Sequence, residues 1–343
     1  MHSRLIVVPV AVFAAALNTF ASGQPPPRQR LNPVIELLEQ KKTVFGVYAP
    51  SALPPGARGR GAAGQVPGGA GAPNEAAAPI PRPPMDLARD ALAYKEADFL
   101  FNGSMEGGVD RGLAAFTEFV KAMDEAAGPN KPRYFGLTHP LIVKTPKIAT
   151  DPAKAIDNIS RQLNVGASGI VFVEVESAAE LRQGLAAMRF KSNGGTRPDE
   201  AGMAPAHWGM SEQEYKQKAD LWPLNPAGEL VNWTIVESKE GLAHVREIAA
   251  VKGIGVLWPG AGTLRGVFST TNAAGERVVD TAAHENAIQQ VLAACKEFKV
   301  PCGYPANASD IETRMKQGFS VFVMNWGDAG FKAVDIGRRV AGR

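Results

Sequence analysis

The apolar run that begins at Val231 ends in Glu237, and the run Gly255-Val256-Leu257-Trp258 ends in the turn Pro259-Gly260-Ala261-Gly262, followed by Thr263. A carboxylate at the end of one apolar strand and a glycine-rich turn at the end of the next match the way barrel enzymes present reacting groups on one face. Glu174 stands near the end of another apolar run, Gly169 to Val175, where an unpaired carboxylate would be costly. Side chains alternate along a strand, so Glu174 and Glu176 are expected on one face and Val175 on the other. If that face is the interior, Glu174 and Glu237 form a pair of acids able to hold a hard cation. A plain ion pair between Glu174 and Lys144 is the alternative.

Positioning such groups requires a regular scaffold, and the periodicity supplies one. A helix over 31–40 leads to strands over 43–48, 98–101, 134–143, 169–175, 231–237, 255–258, 300–304 and 321–326. Helices are expected over 85–95, 112–126, 152–163, 178–188, 241–250, 280–298, 309–317 and 328–341. Eight strands alternating with helices predict a parallel (β/α)8 TIM barrel, one domain over 43–343 after an N-terminal segment at 24–42. No GxGxxG or P-loop opens a helix, which disfavours a doubly wound sheet. Residues 51–84 are rich in Gly, Ala and Pro with few large apolar side chains, so they read as a flexible insert. It follows the first strand onto the active face, where it could serve as a lid.

A length of 343 residues with 45% hydrophobic content suits one large core. The net charge of +3 is small and the charges are interspersed, so no nucleic-acid surface is expected. A charged start, an apolar run from Leu5 to Leu17 and the small residues Ala21-Ser22-Gly23 read as a cleaved signal over 1–23, with an uncleaved membrane anchor as the alternative and the folded part exported to a periplasmic or secreted location in either case. Cys295 and Cys302 lack CxxC spacing and read as two buried thiols, with oxidation to a disulfide in an exported protein as the alternative. His139, His244 and His284 have no ligand spacing, and His244 falls on a helix exterior. Trp233, Trp258 and Trp326 are assigned to the core, the last two also placed to floor the mouth.

Several segments carry a resemblance. Val175-Glu176-Ser177-Ala178-Ala179-Glu180, Val236-Glu237-Ser238-Lys239, and Pro301-Cys302-Gly303-Tyr304 leading to Val321-Phe322-Val323-Met324 are similar to the HpcH/HpaI aldolase and citrate lyase β-subunit family. Ala97-Asp98-Phe99-Leu100-Phe101, Ala187-Met188-Arg189-Phe190, and His207-Trp208-Gly209 before a helix with Tyr215 support it, over 87–340. The resemblance implies a TIM barrel of the phosphoenolpyruvate/pyruvate type and a lyase acting next to a 2-oxo acid or acyl thioester, with Mg²⁺ or Mn²⁺ stabilising an enolate. It also implies a homo-oligomer, and the amphipathic segment Phe331 to Val340 is compatible with a neighbour's contact.

Carried over by position, the family's glutamate ligand falls on Glu237 and its aspartate on Thr263, so one negative charge is lost. The family's arginine falls on Lys144, which keeps the charge without the bidentate fork. The acid-base histidine has no counterpart in Asn102-Gly103-Ser104-Met105-Glu106, and Glu106 is nearest in register. The expected catalytic pair is therefore Lys144 and Glu106, and the expected metal ligands are Glu237 and Glu174. The leading expectation is a carbon–carbon lyase acting on a small 2-oxo or hydroxy acid. Its alternatives are a catalytically degenerate barrel that binds a small carboxylate or acts as an exported interaction protein, and a Schiff base on Lys144.

Overall fold

The computed structural model describes residues 30–52 and 81–343. Eight strands form the barrel and run parallel: β1 Val44–Tyr48, β2 Phe99–Asn102, β3 Leu141–Thr145, β4 Gly169–Phe172, β5 Leu230–Val236, β6 Val256–Pro259, β7 Gly303–Pro305 and β8 Val321–Met324, and a ninth parallel segment of two residues, Leu221–Trp222, adds to the start of β5. Each pairs with the next from β1 to β6, β7 pairs with β8, and β8 returns to β1. A parallel bridge between Leu257 and Cys302 joins β6 to β7, so the sheet closes on itself as the strand count requires.

Alternation divides the apolar side chains between two cores. Val44, Phe99, Ile142, Val171, Trp233 and Val256 point into the barrel, where Trp233 and Trp258 stack at 5.6 Å. The outward set packs beneath the surrounding helices. Interior volume is shared between large and absent side chains. A Cβ at Gly46 would lie 2.2 Å from the Phe99 ring and one at Gly303 1.8 Å from Trp258, so these rings occupy space that glycine leaves open. Full burial of such a side chain contributes roughly 1.5–3 kcal/mol.

The helix Pro33–Glu39 plugs the N-terminal end of the barrel with Val34, Ile35 and Leu38. Asn32 caps it by accepting from the Val34 amide at 3.0 Å, and Pro33 occupies the first turn, where its missing N–H costs nothing. Buried Glu229 accepts from the Asn32 amide at 3.1 Å and so ties the plug to the start of β5.

Several boundaries differ from the periodic reading. Within 134–143 only the end is strand: Tyr134 adopts a left-handed φ of 64°, Phe135–Thr138 forms a helical turn, and β3 begins at Leu141. β4 stops at Phe172 instead of 175. The helix expected over 241–250 is two short helices, Lys239–Ala243 and Val245–Ala249, with half-exposed His244 between them. Cys295 and Cys302 are joined in a disulfide rather than standing as two thiols, because the chain turns back at left-handed Lys299 and brings their Cα atoms to 5.7 Å. Trp326 stands apart from the other two tryptophans, against Tyr94 and Phe331. The leader over 1–23 and most of the insert over 51–84 lie outside the described residues. The Arg82 amide donates to the Ala52 carbonyl at 2.9 Å, so the two ends of that excursion meet.

Candidate active site

The C-terminal mouth of the barrel gathers charge from β3, β5 and the turn after β2. On β3, Ile142 faces the interior, so Lys144 two residues later faces it as well, and it is 8% exposed. Its ammonium donates to both carboxylate oxygens of Glu106 at 3.0 Å. Burial pulls the Lys144 pKa down, but the negative potential of Glu106, Tyr48 and Glu237 outweighs it and holds the group raised, hence charged. Tyr48 lies at the end of β1 and packs on the interior cluster.

Glu106 owes its position to the turn that carries it. Asn102 accepts from the Ser104 amide at 2.8 Å and its hydroxyl at 2.7 Å, a local bond that fixes the turn's start. Met105 is fully buried and anchors the next residue. The Gln162 amide, from the helix Pro152–Val165, donates to the Lys144 carbonyl at 2.7 Å and stands 3.6 Å from the Met105 sulfur. One side chain thus braces both halves of the Lys144–Glu106 pair.

Glu237 follows β5 directly, keeps the interior parity of Trp233 and Ile235, and is 4% exposed. Its Oε1 accepts from the Glu174 amide at 3.0 Å, and the Thr263 hydroxyl is a second donor. Burial raises its pKa, against the lowering effects of Thr263, Lys144 and the Glu174 amide, and the like charge of Glu106 adds to the rise. A Cβ at Gly260 would approach Glu237 Oε2 to 2.4 Å, so the carboxylate fits only because glycine ends β6.

The structure therefore brings Lys144, Glu106, Glu237 and Thr263 to one mouth. It places Glu174 differently from the alternation argument. Glu174 has a left-handed φ of 49°, rare for a residue with a side chain, and this resets the direction in which its side chain leaves the strand. Its backbone N–H reaches Glu237, while its carboxylate, 48% exposed, stands 3.5 Å from Lys147 rather than at Lys144. Glu176 pairs with the same Lys147 at 2.7 Å. Among the described residues no group of three or more His, Cys, Asp or Glu converges as metal ligands would.

Four contributors were given no specific role by the sequence: Gln162, Gly260, which entered only as part of a glycine-rich turn, Tyr48 and the Glu174 amide. Tyr48 was accessible by parity, since Val44, Gly46 and Tyr48 share a face of β1. The other three depend on contacts between segments distant in sequence.

The HpcH/HpaI aldolase/citrate lyase model matches residues 130–324, more than half of the chain. Among solved structures, an HpcH/HpaI aldolase/citrate lyase family protein from Burkholderia cenocepacia J2315 aligns at 20% identity and a TM-score of 0.59, covering 90% of this chain and 97% of that one. The HpcH/HpaI aldolase from Desulfitobacterium hafniense DCB-2 aligns at 16% identity and 0.57, covering 90% and 95%. Macrophomate synthase aligns at 16% identity and 0.54, covering 91% and 88%. At these identities the structural likeness establishes the fold. No curated protein sequence matches. With more than half its length matched by the family model, the chain belongs to the HpcH/HpaI aldolase/citrate lyase family.

Proposed function

We propose that the protein is a carbon–carbon lyase of aldolase type that takes a small 2-oxo acid or related carboxylate at the C-terminal mouth. Family membership supports a lyase-type activity. The observation that carries the site is the buried, charged ammonium of Lys144 facing Glu237, whose carboxyl is held above its ordinary value by burial. An oxo acid brings its own negative charge and competes with Glu106 for the ammonium. Lys144 then faces the oxygen on which charge builds as the carbon–carbon bond breaks, a fixed charge in a poorly solvated place. In the retro-aldol direction, a carboxylate takes the proton of the hydroxyl being converted to a carbonyl, the electrons of the breaking carbon–carbon bond move into the enolate, and the resulting carboxylic acid returns that proton to the enolate carbon. Glu237 has the perturbed pKa suited to that transfer.

Mg²⁺ or Mn²⁺ at Glu237 and Glu174 fits these residues poorly. Glu237 is already engaged by two donors, both oxygens of Glu106 lie on Lys144, and the Glu174 carboxylate turns to Lys147. The neutral hydroxyl of Thr263 adds no charge to attract a hard cation. The Glu106 pairing also weighs against a Schiff base on Lys144, since a raised pKa leaves the nitrogen protonated and without a free lone pair.

Release of pyruvate or glyoxylate from a panel of hydroxy-oxo acids tests the proposal, with Glu237→Gln beside the wild-type protein. Turnover of at least one panel member, lost in the variant, supports it. Binding of oxo acids without turnover on any of them would replace it with a barrel that only binds carboxylates. That second reading is favoured by Thr263. A homo-oligomer and export remain part of the proposal, tested by sedimentation and by fractionation of cells.

A further inference from the structure

The opposite end of the barrel holds an arrangement that the proposed reaction does not use. A partly open cavity of about 700 Å³ lies at the N-terminal ends of β6, β7 and β8, bordered by the plugging helix. Lys41, Lys42, Lys252, Lys296 and Lys299 all contribute to its wall. All five are exposed, and among the described residues none makes an ion pair. The single carboxylate in the wall, Glu39, is already engaged by Arg30 and by the Trp222 indole N–H at 3.1 Å. Five cations therefore surround one space with no free counter-charge in its lining.

Helix ends explain part of this. Lysine is favourable near a helix C-terminus, and the helices Pro33–Glu39, Val245–Ala249 and Thr281–Phe298 all end here. That accounts for a lysine at each end, not for a hollow between them. Two of the five, Lys41 and Lys299, also hold left-handed φ values of 54° and 56° at helix ends where glycine or asparagine is usual. The rest of the lining is of another kind and includes the apolar residues Leu38, Trp222, Pro223, Ile254, Phe298 and Pro301. Lysine stems over an apolar lining leave their charged heads at the rim.

We propose that this cavity binds a small anion with two or more negative charges and a planar or apolar body, the chemical class of the nucleoside polyphosphates. The rim lysines meet the charge and the apolar lining takes the body. The site lies at the other end of the barrel from the mouth and is independent of the lyase reading.

Calorimetric titration of the full chain with adenosine triphosphate and with inorganic pyrophosphate tests it. The variants are Lys252→Glu/Lys296→Glu and, as a control at the start of the helix after β3, Lys154→Glu. The expected result is saturable binding, tighter for adenosine triphosphate, weakened by salt, lowered about tenfold or more in the double variant and unchanged in the control. Melting curves of the variants show whether each is folded. Binding that survives the double variant, equal loss in the control, or no saturation by either probe at millimolar concentration would overturn the proposal. So would cosedimentation with phosphatidylserine vesicles in the absence of binding to either soluble probe, which would make this face a membrane contact.

Discussion

At the C-terminal mouth Lys144 is 8% exposed and holds Glu106 at 3.0 Å, whereas at the N-terminal end five exposed lysines surround a cavity and hold no carboxylate. Both ends belong to one barrel, so the contrast comes from solvation. A charge inside the mouth must be paired within the protein, because little water reaches it. A lysine at the rim of the other end is solvated and can wait for a partner from outside. The mouth thus has its charges placed before a substrate arrives, and the base has a charge that a ligand would complete.

The contrast is broken most severely at Lys144. Lys144→Met removes the fixed charge of the mouth, and turnover in a steady-state assay is expected to fall by about 10²–10³-fold. An unchanged rate would show that the pair is structural. At the other end the covalent tie takes the role that charge pairs play in the mouth. Replacing Cys295 and Cys302 by serine, or reducing the wild-type protein, is expected to lower the unfolding free energy by roughly 2–4 kcal/mol in urea melts. The mouth activity should survive in whatever fraction remains folded.

A smaller change crowds the mouth without altering any charge. Gly260→Ala sets a methyl against Glu237 and is expected to cost about 1–3 kcal/mol along with activity. Gly262→Ala has nothing within 4 Å of the added carbon and should stay within about 0.5 kcal/mol of wild type by the same melt. The smallest effect concerns pH. Because the folded-state pKa of Glu237 is raised, the folded protein binds this proton more tightly than the unfolded chain does. The resulting stability is present below the ordinary glutamate range and is lost as pH rises through the folded value. Glu237→Gln should therefore be more stable than wild type at neutral pH, a gain that shrinks as pH falls into the ordinary glutamate range. Melting temperatures of the two proteins across that window check the sign.

Strand order was legible because each of the eight apolar runs is bounded by polar or glycine-rich turns and followed by helical spacing. The error at 134–143 has a local cause. Tyr134-Phe135-Gly136-Leu137 is apolar enough for either structure, and the left-handed φ of Tyr134, which ends any strand there, leaves no mark on a tyrosine. Lys144 and Glu237 were legible through the resemblance, and the unbroken strands β3 and β5 carry the inward parity of Ile142 and Ile235 on to them. Glu174 could not be placed by parity, since β4 stops at Phe172 and a left-handed residue cancels parity beyond that point. Contacts across the fold are harder still to read. Gln162 bracing Lys144, and lysines from positions 41 to 299 meeting at one cavity, have no local signature in an interspersed charge pattern.

Retro-aldol release by the wild-type protein and by Lys144→Met, each measured with a strong chelator and again with added Mg²⁺, tests the central claim most directly. The expected result is turnover by the wild-type protein in chelator and its loss in Lys144→Met under both conditions. Turnover that appears only with Mg²⁺ and survives in Lys144→Met would contradict it.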